Sequence, residues 1–359
     1  LKFREEHFTN LLAMKDISIL NKIIGDNQRP FIIAEMSGNH NQSIDRALQI
    51  VKAAADAGAD AIKLQTYTAD TMTIPGALTI KDKNSLWYGR ELHDLYKEAY
   101  TPWEWHQRIF EYARELGLIA FSSPFDETAV DFLESLNVPL YKVASFENTD
   151  TPLLRKIAQT GKPIIMSTGV ATVSDIDEGV RTLRENGNEE LVLLKCTSTY
   201  PSTPENTNLF TIPHLKKMFN CHVGLSDHTM GIGAAVASVA LGSRIIEKHF
   251  TLSRADGGVD STFSIEPDEL KMLVVETERA FQSLGQIQYG VQKAEIKSLD
   301  YKRSLYVVKD IELGEKFSAE NVRVIRPGYG LAPKFYDLIL KKSARQKIVA
   351  GTPLTWELL

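Results

Sequence analysis

Two histidines close the motifs Gly224-Leu-Ser-Asp-His-Thr229 and Ile245-Ile-Glu-Lys-His-Phe250. Each stands at or just past the end of a short apolar run that reads as a strand, with helix-like sequence between. His228 and His249 are 21 positions apart, too far to share one helix face. Two strand ends lying side by side would bring them together, and neutral imidazoles there could share a divalent metal. The alternative is two unrelated histidines, one satisfied in the core and one in a loop.

Other apolar runs also end in polar residues. They lead to Glu35, to Lys63 and Gln65 two apart, to Ser122-Ser123, to Lys142 and Ser145 with Glu147 beyond, and to Ser167-Thr168-Gly169. The next two deliver Lys195-Cys-Thr-Ser198 and Ser226 ahead of His228. Lys63 and Lys142, among serine and threonine hydroxyls, suit a phosphate and a carboxylate on one small substrate. Two histidines beside a carboxylate suit a metal that keeps positions open for substrate and water. Glu35, Glu147 and Asp260 are candidates for moving protons. Taken singly, any of these lysines could instead serve a structural ion pair.

The elements that must position these groups follow a rhythm. From Pro30, apolar runs alternate with segments of helical period. Strands are expected near 31–35, 60–65, 118–122, 139–144, 163–167, 190–196, 222–225 and 243–249. Helices are expected at 43–57, 102–116, 126–136, 151–160, 173–186, 208–219, 230–241 and 266–284, with Ser43 as an N-cap. Eight strand–helix pairs in about 255 residues predict an α/β fold, a (β/α)8 TIM barrel, whose strand C-termini share one face. A doubly wound open sheet is the rival, but its usual Gly-rich turn after the first strand is missing from Glu35-Met-Ser-Gly-Asn-His40.

The expected organisation is an N-terminal extension at 1–29, a barrel at 30–285, a polar linker at 286–300 and a small module of short strands at 301–359. Met14 is a candidate natural start, and the extension is assigned no function. The long stretch 66–101, with Trp87, Tyr88, His93, Tyr96 and Tyr100 and followed by Trp103, is expected to build a substrate pocket at the rim. Simple packing on the rim is the other reading.

The 359 residues are 43% hydrophobic and 24% charged, with a formal charge of −5, which argues against a nucleic-acid partner. No apolar run is long enough for a membrane span, and no membrane partner is expected. Two cysteines, Cys196 and Cys221, make no disulfide framework, and a cytoplasmic location is the default expectation.

The segments FIIAEMSGNH, AIKLQTYTAD, SSPF, YKVASFE, MSTG, CTSTYP, GLSDHT and EKHF, in this order, resemble the sialic acid synthase family. The resemblance runs from about Pro30 to the C-terminus, whose last residues are similar to that family's SAF (antifreeze-like) domain. Ala144-Ser-Phe-Glu147, where sialic acid synthases proper tend to have GSGE, and the stretch 86–106 resemble the pseudaminic branch.

The resemblance implies condensation of phosphoenolpyruvate with an open-chain amino sugar, with manganese or magnesium at His228 and His249. It implies that Lys63, Lys142, Ser145, Ser167 and Ser226 hold phosphoenolpyruvate, that Glu35 and Asp260 lie near metal, water and aldehyde, and that Tyr200 lies near the sugar. Gln65 and Ser123 join the substrate-binding set from their strand-end positions. Arg326 matches a SAF-domain arginine that reaches the partner's barrel, implying a domain-swapped homodimer. Three rivals stand: a neuraminate- or legionaminate-forming member of the same family, an aldolase using free pyruvate through a lysine Schiff base, and a non-catalytic sugar-binding module.

Overall fold

The structure, a computed structural model, describes residues 14–359. The upstream stretch 1–13 lies outside the described residues. Contacts divide the chain into two units that meet at Gly285 and Gln286.

The first unit is built on eight parallel strands: β3 (Phe31–Glu35), β4 (Ala61–Thr66), β5 (Ile119–Pro124), β6 (Tyr141–Val143), β7 (Ile164–Ser167), β8 (Leu191–Cys196), β9 (His222–Ser226) and β10 (Ile245–His249). They close in sequence order, β10 pairing back onto β3 with Ile245 opposite Phe31 and His249 opposite Glu35. All eight expected helices form, each within a few residues of its expected bounds, and Ser43 caps the first by accepting from Arg46 N. Strands buried on both faces read as continuous apolar runs, which is why the sequence marks them so plainly.

Side-chain parity then decides what faces inward. Phe31, Ile33, Ala61, Phe121, Leu140, Ile165, Leu194 and Ile245 pack together inside the barrel. Their neighbours Ile32, Ala34, Ile62, Leu64, Tyr141, Val143 and Ile246 pack outward with the helices. Because direction alternates along a strand, the inward set continues through Glu35, Lys63, Gln65, Ser123, Lys142, Ser167, Ser226, Glu247 and His249. The lower barrel is therefore oily and the mouth polar.

One feature of the extension escaped the sequence reading. β1 (Ile17–Ile19) and β2 (Lys22–Ile24) form an antiparallel hairpin across Leu20-Asn21. Ile17, Ile19 and Ile24 join the interior cluster and close the end of the barrel opposite the mouth. Lys22 and Arg29 both reach the buried Asp60 carboxylate, at 2.8 and 2.6 Å, and fasten this segment. An eight-residue apolar patch with four isoleucines was too short a signal to separate from a tail.

In the second unit, β11 (Ser304–Val307) pairs antiparallel with β12 (Val322–Ile325). Leu305, Val307, Ile311, Phe317, Val322, Ile348 and Leu354 form its own core. The stretch read as a plain linker carries a 3-10 helical run over Lys293–Tyr301.

Candidate active site

The inward-facing polar residues form one connected layer. Lys63 pairs with Glu35, lies 3.8 Å from Glu247 Oε2 and donates to Ser123 Oγ at 3.3 Å. Gln65 Nε2 donates to Glu35 Oε1 at 3.1 Å. Lys142 Nζ lies 3.6 Å from Glu247 Oε1, which also accepts from Ser226 Oγ at 2.9 Å. Beyond that ion pair, Lys142 donates to Val143 O alone, at 3.2 Å. Ser145 Oγ accepts from Gly169 N at 3.1 Å. A Cβ at Gly169 would sit 2.1 Å from Ser198 Oγ and 2.6 Å from Ser145 Oγ, so any larger residue there would displace these hydroxyls.

Burial sets the electrostatics. It pushes the Glu35 carboxyl up to about 7, with Glu247 adding to the effect and Lys63 opposing it. Burial also lowers Lys142, beside a second ammonium at Lys63. For Lys63 the carboxylates of Glu247 and Glu35 outweigh burial and raise it. Glu247 falls below its usual range, because Lys142 and Lys63 overcome its burial. Buried Ser167 Oγ and Glu247 Oε2 have no hydrogen-bond partner among the described residues. Native interiors rarely tolerate such atoms without a ligand or water.

Above this layer the imidazoles of His228 and His249 face each other, ring centres 5.3 Å apart. His228 Nδ1 donates to Thr197 O at 3.1 Å, so in the neutral ring Nε2 carries the free lone pair. His249 Nδ1 is buried without a partner, and burial together with His228 and Lys63 holds that ring well below the ordinary histidine range. Burial pulls His228 down, but the Cys196 thiol and the Thr197 carbonyl raise it overall. These two rings fit a shared divalent cation, an uncharged lone pair being what a metal needs. Among the described residues no group of three or more His, Cys, Asp or Glu is arranged as a metal site, so the remaining positions would fall to water or substrate.

Tyr200 packs edge-on to His228 at 4.6 Å and lies 5.2 Å from Phe263. Asp260 accepts from Ser37 Oγ and from Gly38 N, and its burial raises it above the usual aspartate range. Glu147 is pushed up to about 7 by burial, and its Oε2 has no partner. A cavity of ≈ 460 Å³ opens here, its lining mixed: Gln65, Ser145, Glu147, Tyr200, His249 and Asp260 bring polar groups, and Tyr67, Met72, Leu92, Leu95, Tyr96 and Phe146 bring apolar and aromatic surface.

The barrel thus gathers Glu35, Lys63, Gln65, Ser123, Lys142, Ser145, Glu147, Ser167, Tyr200, Ser226, His228, His249 and Asp260 at its mouth. Arg326 stands apart in the second unit, exposed just after β12. Of the aromatic stretch, Trp87 and Tyr96 line the cavity, and Trp87 Nε1 donates to Val259 O at 3.1 Å. His93 instead pairs with Asp70 at 2.8 Å, and Trp103 stacks on Phe132 at 4.6 Å.

Three participants received no role from the sequence. Glu247 carried a signal, two residues before His249 and so on the same face. Cys196 ends β8, and its contact with His228 outweighs burial and lowers the thiol to about 6. Ser37 carried no signal, since its left-handed backbone (φ 48°) is a tertiary outcome.

Residues 50–289 match the NeuB family and residues 302–359 match the SAF domain. The pseudaminic acid synthase of Campylobacter jejuni is 46% identical over 328 residues, covering 91% of this chain and 96% of that protein. The pseudaminic acid synthase of Helicobacter pylori is 41% identical, covering 91% and 97%. The structure of an N-acetylneuraminic acid synthetase from Leptospira borgpetersenii superposes with a TM-score of 0.71 at 33% identity, over 80% of this chain and 96% of that one. With a family match across most of the barrel and relatives this similar over nearly their whole length, the chain belongs to the NeuB family.

Proposed function

We infer that this protein condenses phosphoenolpyruvate with an open-chain 2,4-diacetamido-2,4,6-trideoxy hexose of the L-altro type and water, giving pseudaminic acid and phosphate. The observation that carries the reading is a buried floor of two ammonium groups and serine hydroxyls beneath a cavity whose lining mixes polar and apolar side chains. The floor suits a phosphate and a carboxylate on one small molecule. The apolar side chains of Met72, Leu92 and Leu95 in that lining suit a sugar that ends in a methyl group. The similarity to pseudaminic acid synthases supports the same choice.

In this reading Lys63 and Lys142, with Ser145, Ser167 and Ser226, bind the phosphate and carboxylate of phosphoenolpyruvate; Ser123 and Gln65 brace Lys63 and Glu35. A divalent cation, Mn2+ or Mg2+, held by His228 and His249 would act as a Lewis acid toward the aldehyde oxygen. The methylene carbon of phosphoenolpyruvate forms the new bond to the aldehyde carbon. Positive charge then develops at the phosphate-bearing carbon, close to Glu35 and Glu247. Glu35, poised near neutrality, takes a proton from the water that adds to that carbon. Asp260, raised by burial and within the same cavity, supplies a proton to the former aldehyde oxygen. Cleavage of the carbon–oxygen bond to phosphate leaves the ketone. Holding both substrates in a near-attack pose supplies much of the acceleration.

A homodimer in which Arg326 of the partner subunit completes the sugar site fits an arginine exposed in a separately folded unit. No helix among the described residues is long and apolar enough to cross a membrane, and a cytoplasmic location fits the two unpaired cysteines. The test is phosphate release from phosphoenolpyruvate with a panel of 2-acetamido and 2,4-diacetamido sugars. Preference for the trideoxy sugar supports the reading, and preference for N-acetylmannosamine overturns the choice of sugar.

A further inference from the structure

Asp227 and Lys248 each stand immediately before one of the facing histidines. Their side chains pair at 2.8 Å with exposures of 0% and 1%. Lys248 follows the outward parity of Ile246, so the pair lies behind the strands, while Glu247 and His249 face the mouth. Lys248 Nζ also donates to Thr229 O at 2.7 Å, and Asp227 Oδ1 accepts from Thr229 N at 2.9 Å and Thr229 Oγ1 at 2.8 Å. Asp227 N donates to Glu247 O at 2.9 Å.

The segment Asp227–Thr229, which carries His228 and lies past the end of β9, is thereby tied to β10 one residue before His249. Its other hydrogen bonds near the ring, from Ser202 N to His228 O at 2.9 Å and from His228 Nδ1 to Thr197 O, hold it to the connection between β8 and β9 rather than to β10. A buried ion pair seldom adds net stability, because desolvating both charges offsets their attraction. Its location explains it better than its energy does. It touches neither the cavity nor the lysines of the floor, and it joins the two backbone positions that set the histidine spacing.

We propose that Asp227 and Lys248 are positioning residues, holding the ends of β9 and β10 in the register that lets His228 and His249 close on one divalent cation. The proposal rests on the metal reading above. It makes the pair a determinant of metal affinity, separable from its effect on folding.

The test measures Mn2+ binding to the full-length protein by electron paramagnetic resonance, alongside thermal unfolding. It compares wild type with His228→Ala, Lys248→Met, Asp227→Asn and the double variant Asp227→Asn/Lys248→Met. Lys248→Met leaves a buried carboxylate uncompensated and unfolds earlier than wild type; the double variant recovers part of that loss. The expected result is a double variant that folds yet binds Mn2+ about tenfold or more weakly, the usual effect of removing groups that orient metal ligands. Should the double variant not fold, Asp227→Asn, which keeps the side-chain volume, is judged by the same criterion. Weakening of less than about fivefold overturns the proposal, the ion pair then being structural only. A wild type that binds no Mn2+, or as much as His228→Ala does, instead defeats the metal reading itself.

Discussion

Lys142 Nζ stands 3.6 Å from Glu247 Oε1 in a layer where both side chains are almost wholly buried. The carboxylate also faces Lys63, which pairs with Glu35 as well, so positive potential is left over for a substrate when the Glu35 carboxyl, raised to about 7, carries its proton. Replacing Lys142 by Met removes one of the two ammonium groups and its hydrogen bond to Val143 O. The variant is expected to raise the KM for phosphoenolpyruvate about 10- to 150-fold, the worth of one charge-assisted contact. The KM for the sugar should change far less, as phosphate-release kinetics with each substrate varied in turn would reveal.

Glu147 tests the electrostatics through stability. Burial raises its carboxyl from 4.5 to about 7 in the folded protein. The folded state therefore holds this proton more tightly than the unfolded chain, and the stability it contributes is lost as pH rises from about 4.5 through about 7. Glu147→Gln has no such proton to lose. Its unfolding temperature, measured by calorimetry without substrate, should gain on wild type steadily between pH 5 and pH 8. A difference that stays flat across this range contradicts the assigned environment.

The apolar residues of the cavity lining make a claim about the sugar. Leu92→Ser places a hydroxyl where the proposed substrate presents its methyl group. Preference for the 6-deoxy sugar over its 6-hydroxy analogue, read as a ratio of kcat/KM, should fall about tenfold. The KM for phosphoenolpyruvate should stay put.

The hairpin at the closed end predicts the opposite separation of effects. Ile19 is 2% exposed and packs in the barrel interior. Ile19→Ala should cost about 2–4 kcal/mol of stability in denaturant unfolding, with both KM values unchanged.

A shared site in a dimer would show in mixed subunits. His228→Ala and Arg326→Ala are each expected to be nearly inactive alone. If Arg326 of the partner subunit completes each site, mixing the two under subunit exchange restores up to about a quarter of wild-type activity, since half the dimers are mixed and each has one intact site. No recovery in a mixture shown to exchange would place the arginine's action within its own chain.

How much of this was readable without coordinates follows from how each residue is held. The strands could be seen because parallel barrel strands are buried on both faces. Lys63, Lys142 and His249 could then be placed because strand parity is a local rule. Glu247 obeys the same rule and was legible in position, though the sharing of its charge required three strands to meet. Ser37 was not legible, because its hydroxyl reaches Asp260 across 223 residues through a left-handed turn that no local pattern announces. The 17–24 hairpin was missed since Ile17, Ile19 and Ile24 become meaningful only when a barrel end is there to cover.

The central claim is that this mouth joins phosphoenolpyruvate to a diacetamido trideoxy sugar with the help of a divalent cation. It is tested most directly by following inorganic phosphate as both substrates are supplied to the purified protein, with and without chelator. The account predicts one phosphate released per sugar consumed, abolished by chelator and restored by Mn2+ or Mg2+. Turnover of free pyruvate that ignores chelator and is trapped by borohydride on Lys63 or Lys142 would contradict it.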